Sequence, residues 1–403
     1  MSYNQQYQAV NTNYDNSYSY GFQQAQNKAN RRSKLITIGS VVGVIALIAI
    51  GVGVGVGVSK SHKSSTKSAV TTTSSNSSAV QQTDPHDPSS FVKNPALKQS
   101  FYGMAYTPYG SQLPNCTNSL ADVITDIQLL SQLTKRIRLY GADCNQSALV
   151  LEAIKQTKVD MKVFLANYPI ATDAGAAYVR QRDLIKDALT TYGTDHVAGI
   201  SVGNEFILNY LTDNGGSQQD PNGSVGNTGA ALLLANITDT ISMLSGMNLA
   251  VDVGTADAGS YFNTQILSAV KFGMANVHPW FAAQSIQDAA GWTADFFATT
   301  NVAAANALSN KPTMYIAETG WPTKSSSAAA ASDGPSDASV ANLQIYLDTF
   351  VCQANTNGTG YFYFEYFDEG WKDAQFGGVE GWWGLFNADR TLKNVTIPDC
   401  TAP

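Results

Sequence analysis

The feature that most constrains this fold is the regular alternation of short apolar runs with longer amphipathic stretches between residues 98 and 400. Alternating strands and helices build a parallel sheet covered by helices. Eight repeats in about 300 residues predict a TIM (β/α)8 barrel of the α/β class. A doubly wound open sheet is the alternative, although no glycine-rich phosphate turn follows the first run. The predicted strands are residues 101–106, 136–140, 162–166, 199–203, 248–253, 274–278, 313–317 and 361–366.

Amphipathic helices are predicted between most of these strands. Within residues 120–133, Leu120, Val123 and Ile127 recur at helical spacing and form one apolar face. No eighth helix is evident, because the chain after the last strand turns to Gly, Trp and loop residues. Similar spacing predicts helices over residues 174–192, 229–245, 291–309 and 339–355.

Three regions of different composition precede the barrel domain, which we assign to residues 98–403. Residues 1–34 are rich in Asn, Gln and Tyr and nearly lack aliphatic residues, which predicts a disordered tail. Residues 35–58 carry no charge over 24 positions and are long enough for a transmembrane helix. Residues 59–97 are dominated by Ser and Thr and predict a solvated stalk.

The N-glycosylation sequons indicate on which side of a membrane the barrel lies. All seven N-x-S/T triplets follow the apolar segment 35–58. Sequons and cysteines on one side only predict an extracellular C-terminal region, and hence a single-pass type II protein of the cell membrane with a cytoplasmic tail. A cleaved signal peptide is the alternative, but its apolar core would be shorter. The seven acceptors are Asn76, Asn115, Asn145, Asn222, Asn236, Asn357 and Asn394.

Composition and cysteine content limit the partners of the chain. The formal net charge of −7 disfavours nucleic acid. The sequence has no CxxC motif or His/Cys cluster, so we assign no metal and no cofactor, and we expect a monomer. The four cysteines suit either two disulfides or free buried thiols. An extracellular location favours the pairs Cys116–Cys144 and Cys352–Cys400.

Two glutamates close apolar runs in the same manner. GISVGNEF at 199–206 delivers Glu205 at the end of its run, and MYIAETGWPT at 314–323 delivers Glu318. In a barrel, side chains at the C-terminal ends of strands line the active site. The two glutamates are 318 − 205 = 113 residues apart, or about three repeats, and are predicted to face each other across the barrel mouth. Facing carboxylates suit glycoside hydrolysis. The alternative is that each one caps a helix or pairs with a base.

These motifs resemble those of glycoside hydrolase family 17, the β-1,3-glucanases, and especially its membrane-anchored fungal members. VGNE at 202–205 is similar to the acid/base motif of the family, and AETGWPT at 317–323 to its nucleophile signature. FYGMAYTPYG, RIRLYGADC, NVHPWF and YFYFEYFDEGWK resemble its first, second, sixth and eighth strands, so the resemblance covers residues 98–400. It implies Glu205 as proton donor, Glu318 as nucleophile and retention through a covalent glycosyl-enzyme.

The resemblance also implies a substrate. It places Glu369 and Lys372 at polar positions near the site. His278 is also assigned to the substrate-binding residues, although it begins a triplet that departs from the Tyr-Pro-Tyr of plant members. The expected activity is retaining hydrolysis of internal β-1,3-glucosidic bonds in cell-wall glucan. The alternatives are β-1,3-glucanosyl transfer and a non-catalytic wall-binding protein on a hydrolase-like barrel.

Other residues near the strand ends have the chemistry of a sugar site. Asn204 is expected to hydrogen-bond a sugar 2-hydroxyl. Arg138 is expected to orient the nucleophile and keep it ionised, with an internal ion pair as the alternative. Aromatic residues at or just past the strand ends are expected either to stack on sugar rings or to pack within the barrel, namely Tyr106, Tyr140, Trp280, Trp321, Tyr366 and Trp371.

Overall fold

The barrel strands form a closed parallel ring in the computed structural model, which describes residues 80–84 and 86–403. Each strand pairs with its neighbours in the sequence, and the last pairs with the first. The predicted TIM barrel is confirmed, and the open sheet is excluded because no barrel strand is left at an edge. The strands are β1 Gly103–Ala105, β2 Arg136–Arg138, β3 Lys162–Asn167, β4 Val197–Val202, β5 Val253–Ala258, β6 Phe272–Asn276, β7 Thr313–Thr319 and β8 Tyr361–Tyr363.

Aromatic rings fill the interior of the ring. Phe164 on β3 lies 5.2 Å from Phe272 on β6 and 5.5 Å from Phe362 on β8, measured between ring centres. A Cβ atom at Gly254 would lie 2.3 Å from the Phe272 ring, so the small residue on β5 makes room for it. The interior is therefore a packed core, and open space remains only at its ends.

Helices cover the outside of the ring, and all five predicted helices are present. The structure also contains helices that were not predicted. One of them is a short helix after β8 in which no residue is fully buried, so its sequence shows no apolar face that would have predicted it. The helices are α1 Leu120–Leu130, α2 Gln146–Thr157, α3 Ala176–Tyr192, α4 Phe206–Asp213, α5 Ser224–Gly246, α6 Thr264–Leu267, α7 Ile286–Phe296, α8 Ala303–Asn306, α9 Val340–Thr356 and α10 Gly370–Phe376. A π-helical turn, Phe297–Val302, joins α7 to α8.

The fifth strand lies further along the chain than predicted. The apolar pattern predicted it at 248–253, whereas β5 is Val253–Ala258. Asn248 has a φ of 57° and belongs to the turn after α5. The strand itself reads VGTADA, in which Val253 and Thr255 favour a strand but the Gly, Asp and two Ala residues are depleted in strands. Burial inside the barrel outweighs that local preference.

The N-terminal predictions fall mostly outside the described residues. These are the tail 1–34, the span 35–58 and the stalk up to residue 79. The end of the predicted stalk belongs to the barrel instead, because residues 86–97 bond to α1. Gln128 Nε2 donates to the carbonyl oxygen of Pro88 at 2.7 Å. Over residues 80–84 and 86–403, no helix has the length and apolarity needed to cross a membrane.

Both preferred disulfides are present. Cys116 is bonded to Cys144, which joins the loops after β1 and β2. Cys352 is bonded to Cys400, which ties the C-terminal segment to α9. The alternative of free thiols is wrong for these four residues.

Candidate active site

The turn after β4 places Glu205 at the C-terminal end of the barrel. Gly203 has a φ of 96° and Glu205 a φ of 55°, so the chain turns sharply between β4 and α4. The Glu205 N–H donates to the carbonyl oxygen of Ala256 on β5 at 3.2 Å. Its carboxylate Oε1 accepts a hydrogen bond from Asn276 Nδ2 at 3.0 Å. The side chain therefore lies over the barrel mouth, between β4 and β6.

Glu318 lies near the end of β7 and is held by two basic side chains. Its Oε1 accepts a hydrogen bond from Arg138 Nη1 at 2.9 Å, and its Oε2 accepts one from His278 Nε2 at 3.1 Å. Arg138 is 1% exposed and also donates from Nη2 to Asn204 Oδ1 at 2.6 Å. One buried guanidinium thus links Glu318 to the residue preceding Glu205. Arg138 was predicted either to orient the nucleophile or to form an internal ion pair. In the structure its ion pair is the one with Glu318, so a single interaction accounts for both predictions.

The two glutamates differ in ionisation. Burial and the charge of Glu318 raise the pKa of Glu205 to about 7. Burial alone would raise the pKa of Glu318 as well, but the hydrogen bond from His278 and the charge of Arg138 outweigh it and lower that pKa to about 2. At mildly acidic pH one carboxyl is protonated while its neighbour is ionised. This is the arrangement that general acid catalysis beside a nucleophile or base requires.

A second charged cluster borders the site after β8. The Lys372 Nζ lies 2.6 Å from Glu365 Oε2 and 2.5 Å from Glu369 Oε2. The ring of Tyr140 connects this cluster to the first one. The guanidinium of Arg138 lies 4.3 Å from the centre of that ring, and Lys372 Nζ lies 6.0 Å from it. The two predicted residues Glu369 and Lys372 are therefore brought to the same mouth as the glutamate pair.

Known proteins are similar to this chain in sequence and in fold. The sequence profile of the BtgE/BtgC glycoside hydrolase domain matches residues 103–384. The chain belongs to the BtgE/BtgC glycoside hydrolase family. The predicted resemblance to glycoside hydrolase family 17 is confirmed.

Relatives of this BtgE/BtgC chain include a protein of Emericella nidulans named glucan endo-1,3-beta-glucosidase btgC. It is 34% identical over 320 residues, which cover 75% of this chain and 47% of that protein. The chain spans about half the length of the curated relatives it matches.

Solved structures share the fold of the BtgE/BtgC domain. A Rhizomucor miehei beta-1,3-glucanosyltransferase, an active-site mutant in complex with laminaritriose, superposes with a TM-score of 0.59 at 24% identity and covers 75% of this chain and 99% of its own. An endo-laminarinase from Formosa Hel1_33_131 superposes with a TM-score of 0.56 at 17% identity and covers 72% of this chain and 84% of its own.

Four of the aromatic residues predicted to stack on sugars are buried in the BtgE/BtgC barrel, and three of them are at most 1% exposed. Tyr106 and Tyr366 are 1% exposed and Trp321 is 0% exposed. The Tyr106 hydroxyl donates to Asp126, and the Trp321 indole N–H donates to the carbonyl oxygen of Asp337. No ring face of these three is open to a ligand. Their predicted stacking role is corrected to the alternative, packing within the barrel.

One aromatic ring that reaches solvent beside Glu318 and its partner His278 comes from a residue that was not predicted. Phe281 is 42% exposed and follows His278 and Trp280 in the loop after β6. Trp280, itself 5% exposed, packs edge-on against Phe281 with 5.1 Å between ring centres. Trp383 lies 5.0 Å from His278 and 5.6 Å from Phe281. Trp280 therefore supports the exposed ring, while Tyr140 remains half-buried between the two charged clusters.

Several polar residues of the BtgE/BtgC site were missed in the sequence. Asn276 is the polar residue at the end of β6, just as Glu205 is the polar residue at the end of an apolar run. The same pattern could therefore have predicted it. Glu365 follows β8 within a motif from which only Glu369 and Lys372 were taken. Asp257 was hidden because the fifth strand was placed too early and its polar end was read as loop.

Proposed function

We propose that the barrel domain cleaves β-1,3-glucosidic bonds of a glucan with retention of configuration. Glu318 is the nucleophile and Glu205 the acid/base. The observation that carries the proposal is the pair of glutamates at one barrel mouth, of which Glu318 is bound by Arg138 and His278 and Glu205 by Asn276. The relatives suggest the linkage, since several of them are named glucan endo-1,3-beta-glucosidases.

The contacts of each glutamate suit its proposed step. Glu205 gives its proton to the departing glycosidic oxygen while Glu318 bonds to the anomeric carbon. Arg138 and His278 keep Glu318 ionised and hold both of its oxygens in place. Once Glu318 is esterified its charge is gone, so the pKa of Glu205 falls. Glu205 then accepts the proton of the incoming hydroxyl group.

Polar side chains around the pair are proposed to bind sugar hydroxyls. Asn204 is fixed by Arg138, so its amide is oriented before a ligand arrives. Lys372 is held between two carboxylates, and each member of that cluster can hydrogen-bond a hydroxyl group. The exposed ring of Phe281 offers an apolar face to a sugar.

Water and a sugar hydroxyl compete for the glycosyl-enzyme, which leaves two reactions. Curated relatives are named glucosidases, whereas a protein of the same fold is named a glucanosyltransferase. We propose hydrolysis as the principal reaction and transfer as the second candidate.

Product analysis separates these reactions. The full-length chain is incubated with laminarihexaose in ¹⁸O-labelled water, and the products are followed by mass spectrometry. We expect shorter oligosaccharides carrying ¹⁸O at the new reducing end. Products longer than the substrate without label would establish transfer instead. Recovery of unchanged hexaose, with the Glu318→Gln variant as blank, would refute both reactions.

We further propose that the domain is held outside the cell by residues 35–58. Support comes from the uncharged span and from the exposure of five sequon asparagines on the barrel. Those five are Asn115, Asn145, Asn222, Asn357 and Asn394.

Expression in a eukaryotic host tests this location. With an N-terminal tag on the full-length chain, endoglycosidase treatment is expected to increase gel mobility while the tag stays on the protein. A chain in which all seven sequon asparagines are replaced by Gln is the control and should not shift. An untreated mobility equal to that of the control would contradict an extracellular barrel. Loss of the tag would indicate a cleaved signal peptide.

A further inference from the structure

Helix α4 begins directly after Glu205, at a position where most helices carry a capping side chain. The residue before a helix usually accepts a hydrogen bond from the N–H groups of the first turn, most often through Asp, Asn, Ser or Thr. Glu205 occupies that position, but its carboxylate accepts a hydrogen bond from Asn276 instead. Because the Glu205 side chain points to the active site, the N–H groups in the first turn of α4 receive no side-chain hydrogen-bond acceptor from the residue before the helix.

Asp257, at the end of β5, supplies the missing acceptor. Its Oδ2 accepts the N–H of Ile207 at 2.9 Å, and its Oδ1 lies 3.4 Å from the N–H of Leu208. The same Oδ1 accepts the N–H of Ala258 at 2.9 Å. The carboxylate is 3% exposed, so these backbone groups replace water around it. A neighbouring strand therefore caps α4.

The backbone around Glu205 needs such support. Its φ of 55° lies in the left-handed region, which residues other than glycine rarely adopt unless the surroundings hold them there. Residues on β5 contact the segment on both sides of the turn. Ala256 accepts the Glu205 N–H and donates its own N–H to Gly203, and Asp257 binds the next turn.

We propose that Asp257 is a positioning residue for the reaction, which holds the Glu205 carboxyl over the glycosidic oxygen by capping α4 in its place. The inference rests on the proposed role of Glu205 as acid/base. Asp257 itself does not touch substrate, because its oxygens are occupied by backbone N–H groups of α4 and β5.

A shifted acid/base has a signature that a merely destabilised protein lacks. Natural sugar leaving groups need protonation, whereas dinitrophenolate leaves without it. After an activated leaving group has gone, azide can attack the anomeric carbon and displace the Glu318 carboxylate. The product is a β-glycosyl azide, and no proton transfer is required.

The experiment compares Asp257→Ala with the unchanged full-length chain on laminarin and on a 2,4-dinitrophenyl β-laminarioside. We expect kcat on laminarin to fall about 100-fold, the size of effect that a displacement of about 1 Å produces. Azide should raise turnover of the dinitrophenyl substrate several-fold and yield the β-glycosyl azide. Asp257→Asn retains one acceptor oxygen, so its kcat on laminarin should lie between that of Asp257→Ala and that of the unchanged chain. It also carries the test if Asp257→Ala does not fold.

Two controls separate the possible outcomes. Asp126→Asn alters a buried carboxylate on α1 that binds Tyr106 and Arg390, and it should lower the melting temperature without azide rescue. Equal losses on both substrates, without rescue, in both Asp257 variants would overturn the inference. Glu205→Ala must itself show rescue, and its failure to do so would overturn the proposed function and this inference together.

Discussion

Replacing Glu318 by Gln is expected to reduce cleavage of laminarin by about 10⁴-fold or more, as loss of a nucleophile commonly does. The amide keeps the shape of the side chain and cannot form the glycosyl-enzyme. It also leaves the buried guanidinium of Arg138 without its carboxylate partner. We therefore expect a lower melting temperature as well, since an unpaired buried charge is costly.

Covalent labelling distinguishes lost chemistry from lost fold. A 2-deoxy-2-fluoro-β-laminarioside with a dinitrophenyl leaving group should add its glycosyl mass to the native peptide that contains Glu318. The Glu318→Gln chain should bind laminarin and stay unlabelled. Label on another carboxylate, or a Glu318→Gln variant with more than about a tenth of native activity, would refute the nucleophile assignment.

Replacing Glu205 by Ala should lower kcat on laminarin by about 10²- to 10⁴-fold, the usual contribution of general acid catalysis. Cleavage of the dinitrophenyl substrate to the glycosyl-enzyme should persist, because that leaving group needs no proton. The difference between the two substrates measures what the proton of Glu205 contributes.

The pH profile gives an independent measure of the same residue. Glu205 acts as an acid only while protonated, so native kcat/KM is expected to fall as pH rises through about 7, the pKa to which burial and Glu318 raise it. Glu318 stays ionised through mildly acidic pH, because its pKa lies near 2. In Glu205→Ala the decline near pH 7 should disappear. A decline that persists unchanged in that variant would show that another group is the acid.

The sequence predicted the barrel because each repeat carries its own signal. Helix α1 shows an apolar face at helical spacing, and most strands are continuous buried runs. The prediction failed where the local signal is weak. In β5 only Val253 and Thr255 are β-branched and the other residues are Gly, Ala and Asp, and in α10 no residue is fully buried. β5 forms because it hydrogen-bonds to a strand on each side in the closed barrel. α10 is held at the barrel mouth by the ion pairs of Lys372.

The two carboxylates were found from sequence because both close apolar runs at a distance of about three repeats. The aromatic residues were less predictable, since a Trp or Tyr near a strand end is either exposed or packed beneath its neighbours. Trp321 is packed inside and Phe281 lies outside. Periodicity along one strand does not report how loops from other strands cover it.

The sequence alone determined the class of fold and the pair of glutamates, because these depend on patterns within single repeats and on spacing between them. For the cysteines it gave only a preferred pairing, and the structure supplied the two disulfide bonds. The family resemblance implied which glutamate holds a proton, but only the tertiary structure showed what decides that choice. That choice depends on Arg138 from β2 and His278 from the loop after β6, which meet Glu318 in space. It depends as well on burial. Burial acts on Glu205 as it does on Glu318, but among the described residues no basic side chain hydrogen-bonds to the Glu205 carboxyl to offset it. The pKa of a buried carboxyl is set by charges and packing that come from segments far apart in the chain. A local sequence pattern therefore does not predict it.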